Sequence, residues 1–517
     1  MAEQKDPRQI YQITTPPGFS RDGTILDRKS FIDGQWVRFQ RGRPRKMGGY
    51  REVSMNIGNI PRGAYVSVNN LVYMYGFGAA HAYVAPTVQS VSTTVASDTT
   101  FPDLTDDDLY TFQADAIFDA NGSGTSIIMV HPAQNLADIS DQTNTNIYYT
   151  DLNVNPPTWS KMGDGAGGFI TVSGGVVVLQ PYVFVYGNNG LIKNSNANAP
   201  NDFVIGPNND ANEVNVSSQK VVKGLPLRGG VNSPAGLFWA LDSLIRVSYV
   251  GGDKIFKYDP VSGQISVLSA NSIVEYDGVY YWIGIDRFLL YNGTVQEIPN
   301  EQNFNWFFDN LNYTQRSKVW AIKNHKFGEI WWFFPFGDAT ECTNAIVYNV
   351  RGNFWFDVEL GRSAGFESRV FRYPTMWSNT LNSNDQYSAF VHEYGRNAIL
   401  NNQEIAIPSY FETSDFGWPT GGADSEKPVG NDYWTRLIRV EPDFVQDGPM
   451  SVEVLGEEFA QTATKESDPY PFSPDTGKVD MREQRRQIRL RFESNIIDGH
   501  YEMGRVLLHT EFGDIRS

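Results

Sequence analysis

Between Gly236 and Glu359 the chain sets short aromatic and β-branched runs against pairs such as Asp-Ser, Asp-Gly and Asn-Gly. Side chains of a strand alternate between faces, so such runs suit buried or half-buried strands. Asp-Gly and Asn-Gly tolerate the positive φ that tight hairpins require. Four strands fit between Ser272 and Ile298, at about 272–276, 279–285, 287–291 and 294–298. A compact four-stranded antiparallel unit of this kind is one blade of a β-propeller. Ser317–Lys323, Glu329–Phe334, Thr343–Val350 and Asn353–Val358 form a second unit. In it the apolar run Trp331-Trp332-Phe333-Phe334 reads as a central strand. One short helix is predicted over 303–312.

The unit recurs loosely as a strand ending in Tyr, a turn with Gly, then another strand. It begins at Tyr186, Tyr258, Tyr291, Tyr348 and Tyr394, with gaps between 33 and 72 residues. Further strands are predicted at Gly63–Val68, Leu71–Gly76, Ile127–His131, Ile147–Thr150 and across Gly175–Tyr186. Phe31–Phe39 reads as a hairpin turning at Asp33-Gly34, and 193–215 as a long loop. Residues 87–110 are rich in Ser, Thr and Asp, and the Asp106-Asp107-Asp108 run reads as an exposed loop. It lacks the alternating spacing and distal Glu of a calcium loop.

After a linker at 415–432, strands are predicted at Tyr433–Glu441, Met450–Leu455, Arg485–Glu493 and Tyr501–Glu511. Ile488, Leu490 and Phe492 share one face there, and Gln487, Arg489, Arg491 and Glu493 the other, as in an antiparallel sheet buried on one side. The predicted fold is all-β. A β-propeller of short four-stranded blades spans 61–414, and 1–60 (an arm and a hairpin) and 433–517 build a β-sandwich-like platform. An array of β-sandwiches is the alternative arrangement.

Composition agrees with sheets, since aromatics make up 14% of the 517 residues. The net charge of −17 argues against a general nucleic-acid-binding surface, which needs a positive field. It suits solubility, and also a passage that DNA crosses without sticking. A single cysteine, Cys342, excludes internal disulfides and multi-cysteine metal sites. The first residues lack an apolar signal core and no run reaches membrane-helix length, so synthesis in a cytoplasm without export is expected.

A search for chemistry returns little. The six histidines have no zinc-protease spacing, and no nucleophile elbow or Walker loop is present. Propellers can carry carboxylate pairs for glycoside cleavage, but Asp242, Asp259, Asp277 and Asp286 fall at turns or strand ends, where Asp usually serves the turn itself. No catalytic residue, metal or cofactor is assigned, and the chain is not expected to be an enzyme. Two basic clusters remain: Arg38, Arg41, Arg43, Arg45 and Lys46, then Arg482, Arg485, Arg486, Arg489 and Arg491. Each reads either as a contact to phosphate or an acidic neighbour, or as a solvated face.

Three places carry a resemblance: Asp33–Phe39 with Gly42–Tyr50, the run Gly236–Pro299, and Gly499–Val506. Together they resemble the tail hub or nozzle proteins of short-tailed bacteriophages, a family that includes the packaged-DNA stabilisation proteins. The resemblance implies a virion location and a hexameric ring of copies below a portal adaptor protein. It further implies docking of tail fibres or tailspikes, retention of packaged DNA, and its passage during ejection. Under it, both basic clusters become candidate subunit or adaptor contacts. The competing expectation is a receptor-binding or glycan-degrading propeller.

Overall fold

The computed structural model describes residues 8–24, 28–67, 70–75, 78–84, 91–97, 109–133, 143–151, 159–227, 233–252, 255–367, 373–417, 433–458 and 462–515. The protein is all-β, a propeller of short antiparallel blades joined to a β-sandwich platform. Asp106–Asp108 and most of the predicted linker lie outside the described residues.

Among the described residues, six four-stranded antiparallel meanders follow one another. They span 63–97, 111–161, 175–215, 221–262, 274–297 and 320–359, and are blades 1 to 6 in that order. Blade 5 shows how local sequence sets a blade. Its strands are Val274–Tyr276, Val279–Ile283, Phe288–Tyr291 and Val295–Glu297. Tyr276 pairs with Val279 around Asp277 and Gly278, both at positive φ, so the first turn is a two-residue hairpin. The run Glu329–Phe334 is fully buried in the middle of blade 6, and the predicted helix forms at Phe304–Asn310.

Blade 7 closes the ring with strands from both ends of the propeller. Arg362–Phe366, Thr375–Leu381 and Tyr387–His392 are followed in space by Tyr50–Ile57, which pairs antiparallel with Tyr387–His392. The inner strands of blades 7 and 1 also touch. Residues 50–57 therefore belong to the propeller rather than to the N-terminal arm. A parallel pairing of Ala398 with Tyr50 and a short hairpin to Gln403–Ile405 extend this sheet to six strands.

Tryptophans fill the seams between blades. Trp239 and Trp282 meet edge to face at 5.9 Å between blades 4 and 5, and Phe288 lies 4.5 Å from Trp355 between blades 5 and 6. Three indole N–H groups donate to carbonyls of the interblade segments, Trp282 to Ser266 at 3.0 Å, Trp332 to Ser272 at 2.8 Å and Trp355 to Pro299 at 2.8 Å, whereas that of Trp239 is buried with no partner among the described residues. Each buried ring contributes roughly 1.5–3 kcal/mol of apolar burial, and the bonded N–H prevents a desolvation penalty.

The platform takes strands from both chain ends. One sheet runs Arg8–Gln12, Leu507–Ile515, Tyr433–Glu441, Val479–Arg485. A second runs Asp33–Gln35, Ser409–Glu412, Gln487–Ser494, Met450–Glu457 and onward, and a third joins 37–46 to His500–Met503 and Phe444–Asp447. Ile488, Leu490 and Phe492 are fully buried in this platform.

Several sequence expectations change. Asp33-Gly34 is not a hairpin turn: Asp33 pairs with Glu412, and a Cβ on Gly34 would sit 2.3 Å from the Phe19 ring. The hairpin turns at Arg41 and Gly42, both at positive φ, between Gln40 and Arg43. Val91–Ser97 is the outer strand of blade 1, and Asn212–Asn215 closes blade 3, so neither stretch is all loop. Ser409–Glu412 belongs to the platform, so the propeller gives way to it before residue 414.

Candidate functional site

Two places concentrate charge: the propeller axis and the platform. At the axis the inner strands carry small side chains. Gly63, Ala64, Ala114, Ala321, Ala364 and Gly365 leave open a recess of about 630 Å³, which Arg62, Lys223 and Asn271 also line. These residues come from five blades and the segment before blade 5, and no local sequence signal joins them.

Arg62 is buried and bidentate to Glu341, at 2.6 and 2.7 Å. Lys318 Nζ donates to the same carboxylate at 2.7 Å and to the Thr340 carbonyl at 2.8 Å. Burial alone would raise Glu341, but the bonds from Arg62 and Lys318 hold it below the usual carboxylate range. Beside this trio, burial pushes the Cys342 thiol well up, as for an unreactive packed cysteine. Across the axis Asp115 accepts from Tyr65 Oη at 3.1 Å and from the amides of Ala116 and Val178, both at 2.8 Å. Burial still pushes its carboxyl up. Lys223 faces the recess with its amine lowered to about 8 by burial, against the pull of Asp115.

This recess is not lined by two carboxylates, the arrangement that glycoside cleavage needs. Three of the histidines make structural contacts. His131 is buried on the Val172 carbonyl at 2.9 Å and the Thr145 hydroxyl at 2.8 Å, and burial lowers it to about 4. His392 accepts from Arg362 Nε at 3.0 Å, and His325 meets Glu367 at 2.6 Å. Among the described residues, no group of three or more His, Cys, Asp or Glu side chains is placed to hold a metal ion.

The two basic clusters come apart in space. Arg38 is buried against Glu329 and Glu393 with its guanidinium 3.5 Å from the Phe327 ring. Lys46 is buried too, and burial lowers its amine to about 8. Arg489 is buried among Glu412, Asp415 and Glu457, at 3.4, 3.7 and 3.4 Å. These three cations are neutralised or enclosed within their own chain and present no charge to a partner, which corrects their assignment as contacts. Arg45 bonds Gln40 and lies 3.9 Å from Glu502, Arg485 pairs with Glu483 at 3.0 Å, and Arg491 stacks 3.9 Å from Tyr410. Arg41 and Arg482 are exposed, and Arg43 and Arg486 are half-buried. The second cluster is no single stripe either, because the chain passes at Arg486 from one platform sheet to another.

No family model and no curated protein matches the chain. Among solved structures, an ancestral GH74 enzyme aligns at 12% identity with a TM-score of 0.41, over 69% of this chain and 50% of its own. A computationally designed protein, Ika8, aligns at 10% identity with a TM-score of 0.36, over 67% of this chain and 99% of its own. The chain thus spans half the length of the GH74 enzyme. Likenesses this weak carry nothing about function.

Proposed function

We propose that the chain is a structural ring component of a short phage tail, a nozzle or hub below the portal adaptor. In this reading it retains packaged DNA, conducts it during ejection and anchors fibres or spikes. The observation that carries the proposal is the architecture together with the resemblance at 33–50, 236–299 and 499–506. The propeller and the platform made of both chain ends share one hydrophobic core, in which Trp331 and Phe356 of blade 6 join Phe411, Leu437 and Phe492 of the platform. Such a body suits repetition around a ring and display to a partner. The axial recess lacks paired carboxylates, which favours a structural role over glycan cleavage. The net charge of −17 fits a wall past which DNA slides.

The test is the mass of the purified protein by analytical ultracentrifugation, alone and with a portal–adaptor complex. Six copies joining the adaptor end is the expected result. A monomer under both conditions overturns it and favours the receptor-binding or glycan-degrading propeller, for which cleavage of envelope glycans is the next readout.

A further inference from the structure

The propeller axis holds a cation that the fold leaves without an ion pair. Lys223 lies on the inner strand Val221–Pro226 of blade 4 and lines the axial recess. It makes no hydrogen bond or ion pair with any described residue. The acid that acts on it, Asp115, already accepts from Tyr65, Ala116 and Val178. Arg62, which also lines the recess, shares Glu341 with Lys318, so this trio carries a net positive charge that adds to the field of Lys223. On the same recess, the Asn271 side-chain amide makes no hydrogen bond with any described residue, and its backbone N–H donates to Ser269 Oγ. The small residues of blades 1, 2, 6 and 7 keep the space in front of both groups open.

We propose that this axial recess binds a small oxyanion, a carboxylate- or phosphate-bearing molecule, held by the Lys223 ammonium and the Asn271 amide. A partly desolvated ammonium without a partner is costly, and an anion at 2.7–2.9 Å restores a charge-assisted hydrogen bond. Burial lowers the amine of Lys223, which is the sign of that cost. Asn271 supplies a neutral donor from the segment before blade 5 and fixes the orientation of a second oxygen. The site does not depend on the ring reading: it belongs to one copy and to its propeller alone.

Thermal denaturation tests it, with inorganic phosphate and with citrate, each against sodium chloride at equal ionic strength. A ligand that binds only the folded state raises the midpoint with concentration. The wild type is expected to gain stability from at least one of the two anions, and which one separates the phosphate from the carboxylate source. Lys223→Met is expected to lose that gain while being at least as stable without anion. Asn271→Ala keeps the lysine and is expected to weaken binding at least tenfold by calorimetry. An equal gain in Lys223→Met and wild type overturns the proposal, as does no gain with either anion. If Lys223→Met does not fold, unchanged affinity in Asn271→Ala overturns it.

Discussion

Arg38 and Glu329 lie 291 residues apart and meet in a buried bidentate pair, 3.0 Å from Nε to Oε1 and 3.1 Å from Nη2 to Oε2. Glu329 also accepts from Trp331 Nε1 at 3.0 Å, and Arg38 reaches on to Glu393 at 2.6 Å. The pair locks the N-terminal hairpin onto blade 6. Removing one partner strands a charge in the interior, so Arg38→Met is expected to cost about 3–5 kcal/mol. Adding Glu329→Leu removes the more deeply buried of the two stranded carboxylates, and the double variant is expected to cost at least about 1 kcal/mol less than the sum of the single changes. Urea denaturation of the four proteins measures this; simple additivity would falsify the coupling.

That pair also explains what the sequence could and could not tell. Blade 5 is legible because its information is local: Asp277-Gly278 turns the chain between strands that are neighbours in sequence. The closing strand is not, because nothing local to Tyr50–Ile57 points to its partner Tyr387–His392, more than 300 residues later. A dense run of basic residues looks like surface, yet Arg38 and Lys46 point inward beside exposed Arg41. Strand alternation placed Ile488, Leu490 and Phe492 in the core, but also placed Arg489 outside. It is buried because Glu412 and Glu457 on the flanking strands enclose it. The axial recess was invisible for a similar reason: most of its residues are small, unremarkable and spread over five blades.

Ring closure has its own sensitive point. A Cβ on Gly49 would lie 2.2 Å from the Asn397 carbonyl oxygen and 2.6 Å from its amide nitrogen, both backbone. Neither atom can swing aside as a flexible side chain does. Gly49→Ala is therefore expected to push the closing strand off its neighbours and cost about 1–3 kcal/mol. Gly263→Ala has open space and no left-handed backbone, so its thermal midpoint should stay close to wild type. Equal midpoints for the two variants would show that blade 7 yields at this point.

Asp415 gives the platform a pH dependence. Burial raises its carboxyl to about 6, against the pull of Arg489 and with Glu457 adding to the rise. Glu412, Glu457, Arg489 and Arg28 are the charged groups around it. Its folded-state value lies above the unfolded one, so the folded protein binds the extra proton between about pH 4 and 6. The associated stability is present below that window and lost as pH rises through it. Asp415→Asn is expected to be more stable than wild type at pH 7, by at most about 3 kcal/mol, and to match it near pH 4. Chemical denaturation at the two pH values reads the difference, and an equal gap at both would contradict it.

The contact assignment reduces to the basic residues that remain accessible. Arg41 sits exposed at the tip of the 37–46 hairpin and makes no ion pair with any described residue, and Arg482 is exposed on the platform strand Val479–Arg485. If these residues serve a neighbouring copy or an adaptor, Arg41→Glu with Arg482→Glu is expected to lower assembly at least tenfold. The thermal midpoint should stay within about 1–2 °C, because surface charges away from pairs contribute little to stability. Arg489→Glu is expected to do the reverse in order of cause. It places a fourth carboxylate among Glu412, Asp415 and Glu457, so unfolding comes first and loss of assembly follows from it. Sedimentation of each variant beside its melting curve separates the two routes. Full assembly of the Arg41/Arg482 double variant would remove both residues from the interface and leave Arg43, Arg45, Arg485, Arg486 and Arg491 as the basic candidates with side chains still partly open to solvent.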